Sequence, residues 1–167
     1  MERDSNEPVS AGYLATVLAL MLILPLVSIA LARAAQAPPD GWTLVGSWFL
    51  FWAVGVRLLT AGARQVIQPS FTAREIFHLE SRDAQVIVRE LGFANLCMGL
   101  AGIVSLFVPA WRPCAACTGG LYFAIAGLMH VFKRPATPNE WIALLSDLWI
   151  SAVLLAWSLH QLRGGSG

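Results

Sequence analysis

An all-α integral membrane bundle of five transmembrane helices is what this sequence predicts, and three observations predict it. Of 167 residues, 57% are hydrophobic and only 13% are charged, about half the charged share of a soluble domain. The chain divides into five apolar runs, and runs of about 20 residues at about 1.5 Å rise per residue cross a hydrocarbon core of about 30 Å. Between the runs stand prolines, arginines and tryptophans suited to the membrane interface. No soluble fold of this size hides so much apolar surface, so the bilayer must take up the outward side chains. Length makes residues 13–163 one domain.

Residues 1–12 are a polar arm in which Glu2, Asp4 and Glu7 outnumber Arg3, and Pro8 discourages an early helix. The first span runs from Tyr13 to Ala32. Arg33 and Ala35-Gln36-Ala37-Pro38-Pro39 follow, a pattern like that at a leader-peptide cut. The acidic start and the length of the apolar run favour a retained helix; its removal would leave four spans. The second span covers Leu44 to Val66, opened by Trp42 and closed before Pro69. In PSFTAREIFHLESRD the residues Phe71, Ile76, Phe77 and Leu79 sit among charges and predict a short interfacial helix. The third span covers Ala84 to Val108, and the link Ala110-Trp111-Arg112-Pro113 leads to a fourth from Cys114 to Phe132. Lys133-Arg134-Pro135 and Pro138-Asn139 form a turn with Asn139 as the expected N-cap, before a last span from Trp141 to Leu162. Residues 164–167, Gly-Gly-Ser-Gly, resemble a linker tail.

Five spans put the termini on opposite sides. Arg3, Arg64, Arg74, Arg82, Lys133 and Arg134 fall on one side, against Arg33, Arg112 and Arg163 on the other. Positive residues are retained in the cytoplasm, so the expected protein is multi-pass in the cell membrane with its N-terminus cytoplasmic and its C-terminus outside. A net charge of +1 gives no reason to expect nucleic acid as a partner. The expected partners are the lipid bilayer and a membrane protein complex or a second copy of the chain.

Ionisable groups inside spans face the bundle interior and pair with one another. Here they are Arg57 and Arg64 in the second span, Arg89 and Glu90 in the third, His130 in the fourth and Asp147 in the fifth. Counted from the cytoplasmic ends, Arg57 lies about 13 Å deep, Asp147 about 12 Å, Glu90 about 10 Å and His130 about 5 Å. All four therefore fall in the cytoplasmic half. At helical spacing Gly92, Asn95, Gly99 and Gly102 form a small-residue stripe suited to close packing, and Glu90 points away from it. Arg57, Arg64, Arg89, Glu90, Asn95, His130 and Asp147 make up the candidate polar cluster. One reading pairs Arg57 with Glu90 or Asp147 to fix helix register, while Arg64, Arg89 and Arg134 snorkel to headgroups. The other is a pocket for a small polar or anionic ligand, or a proton relay through Glu90, His130 and Asp147. No second histidine or carboxylate stands at helical spacing from His130 in its span, so no metal site is assigned.

Three cysteines, Cys97, Cys114 and Cys117, are too few for a disulfide-stapled scaffold. Cys114 and Cys117 form a CxxC with both sulfurs on one helix face at the outer, oxidising side, a spacing that can cycle between dithiol and disulfide. No second CxxC is present for it to exchange electrons with.

The stretches GVRLLTAGARQVIQPSFTAREIF, residues 55–77, and RELGFANLCMGLAGI, residues 89–103, resemble the small bacterial membrane proteins grouped around the DoxX/DoxD-like four-helix bundles. Closer still, they resemble an uncharacterised bacterial family, a domain of unknown function. The positions that carry the likeness are Arg57, Pro69, Phe71, Arg89, Glu90, Gly92, Asn95 and Gly99. The resemblance implies a four-helix bundle in a bacterial inner membrane, here preceded by one N-terminal helix. It also implies an accessory role beside thiol or quinone redox systems, but it carries over no catalytic residue. The expected function is thus a non-catalytic membrane protein with no cofactor, either an accessory subunit or a small-ligand-binding bundle. The alternative is a quinone-linked or thiol-linked redox protein using Cys114 and Cys117, with quinone as cofactor. A third reading is a small oligomeric carrier, because five spans leave little room for an inverted repeat.

Overall fold

The computed structural model describes residues 9–35, 40–76 and 79–164, without the side chains of residues 75, 76 and 164. Most of the polar arm, residues 36–39 of the leader-like stretch, Phe77 and the tail past Gly164 lie outside the described residues. Five helices are long and apolar enough to cross a membrane: α1 Ala11–Ala34, α2 Gly41–Ile67, α3 Arg82–Phe107, α4 Pro109–Lys133 and α5 Pro138–Arg163. The described residues contain no strand. The chain is therefore an all-α bundle of five candidate membrane helices.

Four of the five helices, α1, α2, α3 and α5, start a little before their apolar runs with a polar residue that satisfies amides the first turn leaves free. The Ser10 hydroxyl accepts from Tyr13 N at 3.4 Å, the Asp40 carboxylate from Thr43 N at 2.8 Å, and the Ser81 hydroxyl from Ala84 N at 3.1 Å. At α5 the expected cap, Asn139, is not the cap. Thr137 and Glu140 cap reciprocally: Glu140 N donates to Thr137 Oγ1 at 3.3 Å, and Thr137 N donates to Glu140 Oε2 at 3.2 Å. Asn139 is released for another task, and its Oδ1 accepts from Ser10 N at 3.1 Å, tying the start of α1 to α5.

The helix at the centre is α2, half of whose apolar window is buried, against 17% for α1. Small residues allow this. A Cβ added to Gly99 would stand 2.6 Å from Leu59 N, and one added to Gly102 would stand 2.6 Å from Gly55 N, so α2 and α3 meet backbone to backbone. Gly119 makes room for the Val54 side chain of α2, and Gly120 and Gly127 make room for the side chains of Leu155 and Leu148 of α5. The core between them is filled by Met21, Leu50, Val54, Ile150, Leu154 and Trp157.

Two helices depart from regular α geometry. Ala19–Ile23 in α1 and Leu50–Val56 in α2 widen into π-type turns, which insert a residue and rotate whatever follows. Pro25 lies just past the first. Having no N–H, it cannot bond the carbonyl four residues back, that of Met21. Trp149 Nε1 of α5 donates to that carbonyl at 3.2 Å instead. With Trp52 Nε1 donating to Ser28 Oγ at 3.0 Å, this pins α1 to the bundle.

Between α2 and α3 the chain turns through Pro69–Phe71 and a wider turn, Thr72–Ile76, burying Thr72 and Ala73. Short helical turns thus stand where the interfacial helix is expected, as far as the described residues reach. At the other face Arg112 donates to the carbonyls of Ser105 and Leu106 at 3.0 and 3.3 Å, satisfying the end of α3.

Candidate functional site

Among the described residues a polar centre draws on all five helices. Arg57 follows directly on the π-type turn of α2 and is half-buried, and its Nε donates to Met21 Sδ of α1 at 3.2 Å. Asp147 of α5 is 7% exposed. No hydrogen bond and no cation within 4.0 Å reaches its carboxyl among the described residues, yet Arg57, Tyr13 and Tyr122 all lie within its electrostatic reach. Tyr13 comes from the first turn of α1 and Tyr122 from the middle of α4, where it stands beside the Asn95 side chain. Asn95 sits in the glycine stripe of α3, 2% exposed, and its Nδ2 donates to Gln65 Oε1 of α2 at 2.8 Å. Asn95 Oδ1 has no partner.

Of the seven residues expected in the cluster, the structure brings together Arg57, Asn95 and Asp147. It leaves the others outside. Arg89 and Glu90 are exposed on α3, so the carboxylate that faces Arg57 is that of Asp147 and not Glu90. The depth of Glu90 matches that of Arg57, but its direction does not, because the glycine stripe turns the opposite face of α3 toward α2. Arg64 is exposed and lays its guanidinium over the Phe71 ring, 3.8 Å from the centroid, a cation–π contact at the edge of the bundle. His130 is half-buried in the last turn of α4 and is not among the groups acting on Asp147.

Sequence reasoning missed Tyr13, Met21, Gln65 and Tyr122. Two of these carried a signal. Tyr122 lies at mid-span in α4, away from the interfacial aromatic belt, where a tyrosine needs a polar neighbour. Met21 is four residues before Pro25, so its free carbonyl was legible, though its sulfur contact was not.

Cys114 and Cys117 are exposed free thiols near the Trp111 end of α4. Cys114 lines a shallow groove of about 250 Å³ with Cys97, Met98, Trp111 and Thr118. A second groove, about 210 Å³, lies beside the start of α3 between Leu79 and Leu91. Among the described residues no three His, Cys, Asp or Glu side chains gather closely enough to hold a metal ion.

Asp40, at the start of α2, shows the electrostatics of the opposite face. The Thr43 amide holds its carboxyl below the usual range, and His160, stacked on Trp42 at 5.3 Å, adds to the effect.

No curated protein and no solved structure matches the chain, and the DoxX/DoxD likeness gains no support. A family profile does match, over residues 11–164 and thus over all five helices. The chain belongs to DUF6790, a family of unknown function.

Proposed function

We propose that the chain is a non-catalytic membrane protein that binds a small polar ligand at its interior centre, alone or as an accessory subunit of a larger complex. One observation carries the reading. The half-buried guanidinium of Arg57 has a thioether as its hydrogen-bond partner among the described residues, while elsewhere in the interior Asn95 Oδ1 stays unpaired. Buried polar groups that serve only helix packing are satisfied by their neighbours; these are not. The proposal places the N-terminus in the cytoplasm, so the centre lies in the cytoplasmic half. The accessory role is supported by the DoxX/DoxD-like residue pattern alone.

The test is extraction from native membranes followed by identification of what comes with the protein. Wild type should release a small molecule on denaturation, and Arg57→Leu should not. Preparations that carry neither a small molecule nor a partner protein would sink the reading.

A thiol-linked redox role is the second reading, and the exposure of Cys114 and Cys117 on one helix supports it. Alkylation should then reveal an oxidant-dependent disulfide that Cys117→Ser abolishes. Thiols that stay free under oxidant would remove this reading.

A further inference from the structure

A guanidinium offers five N–H donors, and a thioether sulfur is among the weakest acceptors a side chain can supply. Among the described residues Met21 Sδ, at 3.2 Å, is the sole hydrogen-bond acceptor of the Arg57 side chain. The opposite deficit belongs to the same centre. Asn95 Oδ1 lacks a donor, and the Asp147 carboxyl receives no hydrogen bond from the described residues although only 7% of the residue is exposed. Unused donors on the half-buried Arg57 and unused acceptors on the buried Asn95 and Asp147 cost free energy until an occupant joins them. Arg57 lies within electrostatic reach of Asp147, and a neutral occupant adds no charge there.

The approach to Arg57 narrows the class. Met21 belongs to α1, the least buried of the five helices, and sits in its π-type turn just before Pro25. The outward face there is apolar: Leu18, Leu22, Ile23 and Leu26 are all exposed. Neither groove described above is lined by Arg57 or Asp147. An occupant that displaces the Met21 sulfur from the bilayer side would meet this apolar face of α1.

We propose that the centre takes the neutral head group of a lipophilic molecule, a carbonyl beside an N–H as in a long-chain primary amide. The carbonyl oxygen replaces Met21 Sδ on Arg57, the N–H donates to Asn95 Oδ1 or Asp147, and the chain lies along the seam of α1 and α2. The inference rests on the ligand-binding reading for its site and goes beyond it in naming the chemical class and the lateral route.

The experiment is equilibrium binding of labelled oleamide to the full chain in bilayer nanodiscs. Binding should saturate at one site. Arg57→Gln should weaken it about tenfold or more, the loss expected for a hydrogen bond to a charged group. Met21→Leu should strengthen it by removing the competing sulfur, and Arg64→Gln, whose guanidinium lies over Phe71, should leave it unchanged. Methyl oleate, with a carbonyl and no donor, should bind severalfold more weakly, a comparison that needs no variant. Unsaturable binding, equal binding by Arg57→Gln, or equal binding of methyl oleate overturns the proposal. If a water-soluble molecule co-purifies while oleamide fails to saturate, the lipophilic class falls and the ligand-binding reading stands.

Discussion

Arg57 and Asp147 are worth more to each other than to the bundle. Asp147 is buried and Arg57 half-buried, and removing one takes away the other's electrostatic partner, whereas removing both leaves two apolar surfaces. Arg57→Leu and Asp147→Leu should therefore each lower the thermal midpoint, and the double variant should recover part of the loss. The coupling should be about 1 kcal/mol or more. Glu90→Leu, changed on an exposed face of α3, should combine additively with Arg57→Leu. Additivity in both pairs, measured by thermal unfolding in detergent, would show that Asp147 does not stabilise Arg57. At Asp40 the sign is set by its depressed folded-state pKa. Its stabilising contribution is fully present above the unfolded value and is lost as pH falls through the folded value. Asp40→Asn, which keeps an acceptor for the Thr43 amide, should flatten that acid dependence; an unchanged profile would remove Asp40 as its source.

At the scale of elements, packing follows the placement of glycine. Gly99→Leu forces side-chain atoms into the Leu59 backbone and should destabilise the α2–α3 contact by about 1–3 kcal/mol. Leu100→Ala, one residue on and facing outward, should cost far less. Near-equal unfolding midpoints for the two would argue against the close crossing. The spans and this stripe were legible because both signals are local: an apolar run long enough to cross a membrane, and small residues at a fixed spacing. The polar centre was legible only in part. Counting residues gives depth along a helix, and so found Arg57, Asp147 and Glu90 at similar heights. Direction needs an unbroken 3.6-residue period, and the π-type turn at Leu50–Val56 breaks it immediately before Arg57, while Met21 lies inside the turn at Ala19–Ile23. The cap of α5 was a misreading of a different kind. Thr137-Pro138-Asn139-Glu140 contains the Ser/Thr-x-x-Glu signature, and choosing Asn139 passed over the better candidate two residues earlier.

For the molecule as a whole, the five candidate membrane helices set a test of topology, since an odd number of crossings would separate the two ends. Reporter fusions or cysteine labelling should place positions near Arg74 in the cytoplasm and position 165 outside, following the six-to-three division of positive residues. Finding both on one side would remove a span from the count. The attachment of α1 bears on how such a chain is made. As the most apolar of the five helices, it can enter the bilayer unaided while α2, with an arginine at its middle, cannot do so cheaply. Synthesis from the N-terminus delivers Met21 and Tyr13 to the membrane before Arg57 leaves the ribosome, so the arginine emerges to find a polar docking point already waiting. The first helix is in this sense an insertion guide for the second, and its loss would be felt in biogenesis before it was felt in the finished bundle.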